Sequence, residues 1–153
     1  MSCAIGTKFK DVRERLMKKN TLKAVFSMPD DIFYPTGTNV CVMVWTAHQP
    51  HDSMQETFFG YCKNDGFVKR KKLGRVDILG KWKHIEKEWL KLYRNRDVVD
   101  GLSARHCVGY DDEWLCEAYM QTDYSTLTQD DFRQTINDYL AYLVKSGDID
   151  EAD

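Results

Sequence analysis

Several reactive side chains of this 153-residue sequence sit close enough together to be weighed as sites. His48-Gln49-Pro50-His51 is an HxxH, and Cys62, His106-Cys107 and Cys116 are further metal-competent groups. A tetrahedral zinc site pairs its ligands at short spacings, and here only one close pair exists, with Pro50 opposing a helical presentation. A Cys–His nucleophile fares no better, because any cysteine and any histidine would satisfy so loose a pattern. Asp111-Asp112-Glu113 sets three carboxylates side by side, where solvation or capping accounts for them. No GxSxG turn occurs, and the nine glycines form neither GxGxxG nor GxxxxGK(S/T). Pro29, Pro35 and Pro50 are the only prolines and none are adjacent, so no motif built on Pro-Pro is present. Hydrolysis, metal chemistry and a self-contained nucleotide loop all lack support; no cofactor or metal is expected on this chain alone.

Two other segments carry more. Lys69-Arg70-Lys71-Lys72 and Arg75 follow directly on Phe58, Phe59, Tyr61 and Phe67. Clustered lysine and arginine supply phosphate contacts, which set affinity and salt dependence rather than sequence choice. The aromatics behind them serve either as core or as base-stacking platforms. The second segment is Asp30-Asp31-Ile32-Phe33-Tyr34-Pro35-Thr36-Gly37-Thr38-Asn39, two aromatics in a loop between apolar runs. Loops at strand ends of open α/β sheets are ligand sites. An aromatic there either stacks on a planar group, such as a base taken out of a duplex, or merely plugs the loop.

The elements that must position these loops are legible in part. Phe9, Val12 and Leu16 recur at helical spacing within Lys8 to Asn20. Leu22 to Met28 reads as a strand stopped by Pro29. Asn39 to Trp45 is apolar on both alternating sides, which predicts a strand buried on both faces inside a helix-covered sheet. Thr57 to Cys62, a turn through Asn64-Asp65-Gly66, and Phe67-Val68 read as a hairpin. Trp82, Ile85, Trp89 and Leu92 or Tyr93 share one face of a helix over about Gly80 to Arg94. Glu113 to Met120 suggests a short helix. Thr128 is an N-cap with Asp131 three residues on, Leu127 and Phe132 a hydrophobic staple, and Phe132, Ile136, Tyr139 and Leu143 the buried face. The tail Asp148 to Asp153 is expected to fray.

Composition agrees with one ordinary α/β domain: 42% hydrophobic, 30% charged, with no run near the roughly 18–20 apolar residues of a membrane helix. The start lacks a signal peptide's apolar stretch, and five cysteines without CxxC fit a reducing, cytoplasmic setting. Charge is segregated. Residues 63–96 hold 12 Lys+Arg against 4 Asp+Glu, whereas residues 97–153 hold 3 against 14. Either the basic middle meets a polyanion, or the two surfaces attract each other within the fold.

One stretch is specific enough to resemble a family. "LKAVFSMPDDIFYPTGTNVCVMVW" (Leu22 to Trp45) resembles the N6-adenine DNA methyltransferases, particularly modification subunits of type I restriction-modification systems. There a strand ending in Leu/Met-Pro leads to an "(I/V)F-P" loop, a Thr-Asn and an apolar strand. "FFGYCKNDGF" (Phe58 to Phe67) resembles the aromatic strand and Asp-Gly turn that follow, and "MSCAIG" the end of the strand-and-loop after the catalytic motif. The resemblance implies a Rossmann-like sheet that binds S-adenosylmethionine and methylates the amino nitrogen of a flipped adenine. It implies that Phe33 stacks on that adenine, with Tyr34 and Asn39 supporting the loop. The aromatic-x-Gly-x-Gly cofactor loop and the Asn/Asp-Pro-Pro-Tyr/Phe catalytic motif are both absent.

The expectation is therefore the C-terminal part of a Rossmann-like methyltransferase sheet, followed by a β-hairpin and helices, inactive alone. Residues 1–50 would hold the last helix and strands of the sheet, 51–79 the aromatic hairpin and basic segment, 80–147 a helical region, and 148–153 an acidic tail. Lys69, Arg70, Lys71, Lys72 and Arg75 would touch DNA phosphates. Partners would be DNA, a chain supplying the missing N-terminal methyltransferase portion, and a specificity subunit; no membrane is involved. The alternative is a stand-alone DNA- or protein-binding module without catalysis. A remnant with a cut sheet would expose an apolar edge near Leu22–Met28.

Overall fold

The computed structural model describes residues 3–122 and 127–146. The chain forms two compact units, residues 1–122 and 123–153. In chain order the first unit contains α1 (Lys10–Met17), β1 (Thr21–Ser27), β2 (Cys41–Thr46), β3 (Glu56–Tyr61), β4 (Val68–Arg70), β5 (Gly74–Val76), α2 (Trp82–Asn95), β6 (Ser103–Cys107) and a 3₁₀ turn (Cys116–Ala118). The second contains α3 (Gln129–Ser146). No helix among the described residues is long and apolar enough to cross a membrane.

A four-stranded mixed sheet in the order β2-β1-β3-β6 organises the first unit. β1 runs antiparallel to β2 and parallel to β3, and β6 closes the other side antiparallel to β3. β1 and β3 are the central strands, and their side chains are buried accordingly. On one face Leu22, Val25, Phe59, Ala104, Val108, Trp114 and Cys116 make the core, with Cys41, Met43 and Trp45 of β2 at its margin. On the other, Phe26, Phe58 and Tyr93 of α2 meet as three rings with centroids 5.4–6.0 Å apart. Gly60 lies opposite Phe26 in the register, and a Cβ there would come within 2.6 Å of the Phe26 ring. That close approach is why the strand carries a glycine in its interior.

Buried polar groups tie the loops to this sheet. Arg13 is 2% exposed, and its guanidinium donates to the carbonyls of Tyr110 (2.7 Å), Gly6 (2.9 Å) and Cys3 (3.3 Å) while lying over the Trp114 ring. Carbonyl acceptors on several sides are what let a charge stay out of water. Trp114 is fully buried and donates through Nε1 to Gly109 O at 2.8 Å.

Several expectations meet a different outcome. The apolar edge does not fall at Leu22–Met28, because β1 is paired on both sides; β2 lies at the edge instead. β2 is consequently half-buried, not covered on both faces. No hairpin joins β3 to Phe67–Val68: both sides of β3 are already taken, and Val68 pairs with Val76 in a separate β4–β5 ribbon. A strand, β6, lies inside the stretch read as helical from residue 80 to 147. Its sequence Ser-Ala-Arg-His-Cys has neither apolar alternation nor β-branched residues, so pairing with β3 alone makes it a strand. Glu113 to Met120 yields only the 3₁₀ turn.

α3 begins as the sequence predicts. The Thr128 hydroxyl accepts the Asp131 N–H at 3.3 Å, and the Asp131 carboxylate accepts the Thr128 N–H and hydroxyl, both at 2.7 Å. These bonds hold the Asp131 carboxyl below its ordinary value. Of the residues read as its buried face, Phe132, Ile136 and Tyr139 are each more than half exposed and Leu143 is half-buried; Leu127 of the staple is also exposed. The tail 148–153 and Met1-Ser2 lie outside the described residues.

Candidate nucleic-acid interface

The loop bearing Phe33 leaves the C-terminal end of β1, and its own backbone folds it. Met28 N–H donates to Val40 O (3.0 Å) and Thr38 N–H to Asp30 O (2.9 Å), so the loop closes at its base. Within it, Tyr34 N–H donates to Asp31 O (2.9 Å) and Thr36 N–H to Phe33 O (3.0 Å). Turns of this kind spend the loop's polar groups on itself and leave its apex side chains outside. Phe33 is 61% exposed and Tyr34 42%. Phe33 therefore does not plug the loop.

Two aspartates bolt this loop down. Asp30 pairs with Lys63, which also stands 3.9 Å from Glu117. Glu117 in turn accepts the Ser27 hydroxyl at the end of β1. Asp31 faces the basic segment, 2.9 Å from Arg75 Nε and 3.2 Å from Lys69 Nζ. Nη2 of Arg75 also lies 2.8 Å from both oxygens of Asp65, which is 7% exposed. The Arg75 guanidinium sits 5.2 Å over the Phe67 ring. Asp65 further accepts the Phe67 N–H (3.0 Å), and Gly66 between them has φ 79°, with α2 so near that a Cβ would meet Ile85 at 3.0 Å. Asp-Gly thus makes a tight turn, but one that clasps an arginine rather than joining two strands.

The five basic residues predicted for phosphate contact therefore divide. Arg75 is mostly buried and held by two carboxylates; Lys69 is half exposed with one. Arg70 ends β4, and Lys71 and Lys72 lie in the exposed turn between β4 and β5, where Lys72 takes φ 68°. They have no ion-pair partner among the described residues. Asn39 sits near the base of the Phe33 loop. The sequence did not single out Asp31, Asp65 or Lys63; their signal was the Asp-Asp before the aromatic loop and the Asp before Gly66, two residues after Lys63.

The remaining reactive groups are structural. His51 accepts the Leu22 N–H at Nδ1 (3.3 Å) and donates from Nε2 to Val108 O (2.9 Å), so both ring nitrogens are occupied. His106 stacks on Tyr119, centroids 4.5 Å apart. Burial pushes the Cys62 and Cys116 thiols up to about 12, which removes them as thiolate nucleophiles at neutral pH. No cluster among the described residues would hold a metal ion.

A family model described as N-6 DNA Methylase matches residues 3–142. The chain belongs to the N-6 DNA methylase family. Over 133 residues it is 30% identical to the type II restriction enzyme and methyltransferase RM.BcgI of Heyndrickxia coagulans, which covers 85% of this chain and 20% of that protein. Its fold is similar to a type I restriction-modification system methyltransferase subunit from Streptococcus thermophilus, with TM-score 0.54, 18% identity, and coverage of 78% of this chain and 24% of that one. A type I modification subunit from Vibrio vulnificus aligns at TM-score 0.48 with 15% identity, over 69% of this chain and 20% of that one. This N-6 DNA methylase chain thus spans about a fifth to a quarter of these three proteins.

The family implies S-adenosylmethionine. The described residues do not fit it: no strand here leads into a glycine-rich turn. The apolar groove among Phe26, Met28, Val42, Trp82, Trp89 and Tyr93 measures about 230 Å³, below the roughly 300–1,000 Å³ of cofactor sites; surface cavities of about 380–440 Å³ lie elsewhere, none beside a glycine-rich turn among the described residues. The groove's lining offers a single carboxylate, Glu86, and otherwise only the Cys62 thiol and the indole and phenol groups for hydrogen bonding.

Proposed function

We propose that this chain is the C-terminal portion of a site-specific adenine-N6 DNA methyltransferase of a restriction-modification system, with no methyl transfer of its own. It supplies an adenine-stacking ring, Phe33, on a loop held by Asp30 and Asp31, with Tyr34 and Asn39 supporting the loop. Arg70, Lys71 and Lys72 contact DNA phosphates, Lys69 does so at the margin, and Arg75 holds the loop to the basic ribbon. S-adenosylmethionine and the groups that grip the adenine amino nitrogen belong to the remainder of the enzyme, and a specificity subunit selects the DNA sequence. Methyl transfer asks no nucleophile of this chain, since the protein's task is to hold the adenine where the methyl group can reach it.

The observation that carries this reading is Phe33: a phenyl ring 61% exposed on a loop fixed by ion pairs. Exposing a phenyl ring gives up roughly 2 kcal/mol of burial, so a loop otherwise so constrained has kept it out for something planar. The test grafts this chain into RM.BcgI in place of the matched segment and follows transfer of labelled methyl groups to DNA. The graft should methylate adenine, and Phe33→Ala should lower turnover by about 5- to 150-fold while DNA affinity changes less than about threefold, as for a stacking contact of 1–3 kcal/mol. Equal turnover in both would overturn the role of Phe33. DNA binding by the chain alone, with no methyl transfer from a folded graft, would instead favour a binding module.

A further inference from the structure

The basic ribbon of β4 and β5 ends in an apolar side chain. Leu73 is 73% exposed, with Arg70, Lys71 and Lys72 before it and Arg75 soon after. Its N–H donates to Arg70 O at 3.2 Å, closing the turn Arg70-Lys71-Lys72-Leu73. Lys72 takes φ 68° and Gly74 φ 76°, so the backbone is left-handed on both sides of Leu73 and carries it round the apex. Glycine or asparagine is the ordinary choice at such a φ, yet the turn keeps a lysine at 72. The turn thus holds cations and a leucine together in solvent. Ile78 and Leu79 are exposed as well, but they lie at the root of the ribbon, outside this cationic turn.

The ribbon is fixed below its tip. Lys69 and Arg75 face each other across the two strands, and both reach Asp31, which stands shortly before Phe33 in the chain. Asp65 holds Arg75 as well. From that rung to Leu73 the strand runs on for about 7 Å, and the leucine side chain lengthens the reach. The major groove of DNA is roughly 8.5 Å deep and admits a two-stranded ribbon. Cations on such a ribbon meet phosphates, but an aliphatic side chain adds nothing to a phosphate contact. Inserted at a base step it does something else, setting apolar surface where stacking is lost. Extruding an adenine opens such a gap, at the cost of unpairing and unstacking it.

We infer that Leu73 is a wedge: the ribbon enters the major groove and Leu73 fills the gap that the extruded adenine leaves in the duplex. Arg70, Lys71 and Lys72 hold the flanking phosphates. This rests on the reading proposed above and adds a second apolar group to it. Phe33 keeps the base outside the helix, and Leu73 occupies its place inside. The two are carried by elements that meet at Asp31, so the loop and the ribbon act on one nucleotide as a single body.

Binding of the full chain to a synthetic DNA duplex with one abasic site, against the same duplex intact, tests it. At about 50 mM salt the abasic duplex should bind at least about tenfold tighter, the lower end for burying a leucine side chain. Leu73→Ala should cut that ratio below about threefold, and Leu73→Phe, still apolar, should keep it. Leu73→Ala trims only an exposed side chain, and urea unfolding checks that the variant folds as the parent does. Arg70→Ala should weaken both duplexes alike, because a phosphate contact does not sense the gap. A parent ratio below about threefold, an undiminished ratio in Leu73→Ala, or no binding of either duplex overturns the inference. Methyl transfer by the RM.BcgI graft that falls in Phe33→Ala, beside an undiminished abasic preference in Leu73→Ala, would leave the proposed function standing while this inference falls.

Discussion

Replacing Arg75 separates a clasp from a phosphate contact. Its guanidinium joins Asp31 at 2.9 Å to Asp65 at 2.8 Å, and Asp65 is 7% exposed. Arg75→Gln would leave the Asp65 carboxylate out of water with only the Phe67 N–H as a close donor. Breaking a buried pair on one side costs about 3–5 kcal/mol. Asp31 is a quarter exposed and keeps Lys69, so the lower end applies, about 3 kcal/mol. With a urea slope of roughly 1.5 kcal/mol/M, the unfolding midpoint should fall by about 2 M. Asp65→Asn in the same background should recover more than half of that, since a neutral amide no longer needs the cation. Arg75→Lys should recover less, because one ammonium cannot span two carboxylates as the planar guanidinium does. The measurement is equilibrium urea unfolding by far-UV circular dichroism, beside DNA affinity across a salt series. A midpoint unchanged by Arg75→Gln, with a shallower salt slope, would refute the clasp and return Arg75 to the phosphates.

Arg70, Lys71 and Lys72 predict the converse. Changing all three to Ala should leave the unfolding free energy within about 0.5 kcal/mol and flatten log K against log salt by about 2.7, at roughly 0.9 per phosphate contact. Gly60→Ala should destabilise by about 1–3 kcal/mol, because its Cβ would enter the Phe26 ring; urea unfolding reads it. At pH 8, iodoacetamide should spare Cys62 and Cys116, whose thiols burial raises to about 12, until urea exposes them; mass spectrometry of the labelled peptides decides. Asp131 sets a pH dependence in α3. Its folded value lies below the ordinary 3.8, so its cap is fully present above that pH and is lost as pH falls through the lower folded value. Helicity should drop there in the parent and not in Asp131→Asn.

The helices, β1 and the Phe33 loop were legible because each rests on neighbours in the chain. Helical spacing of Trp82, Ile85 and Trp89, Pro29 after an apolar run, and Thr128 before Asp131 are local signals, and the structure repeats them within a few residues. β6 was not legible. Arg105 and His106 become strand residues only through β3, some 45 residues earlier in the chain.

The sequence by itself determined the family resemblance, the apolar strands, the exposed aromatic's segment and the pool of basic residues. Tertiary structure decided what those basic residues do. Arg75 and Lys69 meet Asp31 because a loop and a ribbon more than 30 residues apart close on each other at one end of the sheet. Arg70, Lys71 and Lys72 stay in solvent because they end β4 and make the turn that follows it. It also decided the order of the strands. β2 reads as interior from its composition, yet lies at an edge because β1 spends its other side on β3. Composition records how apolar a strand's surroundings must be; only pairing records who provides them.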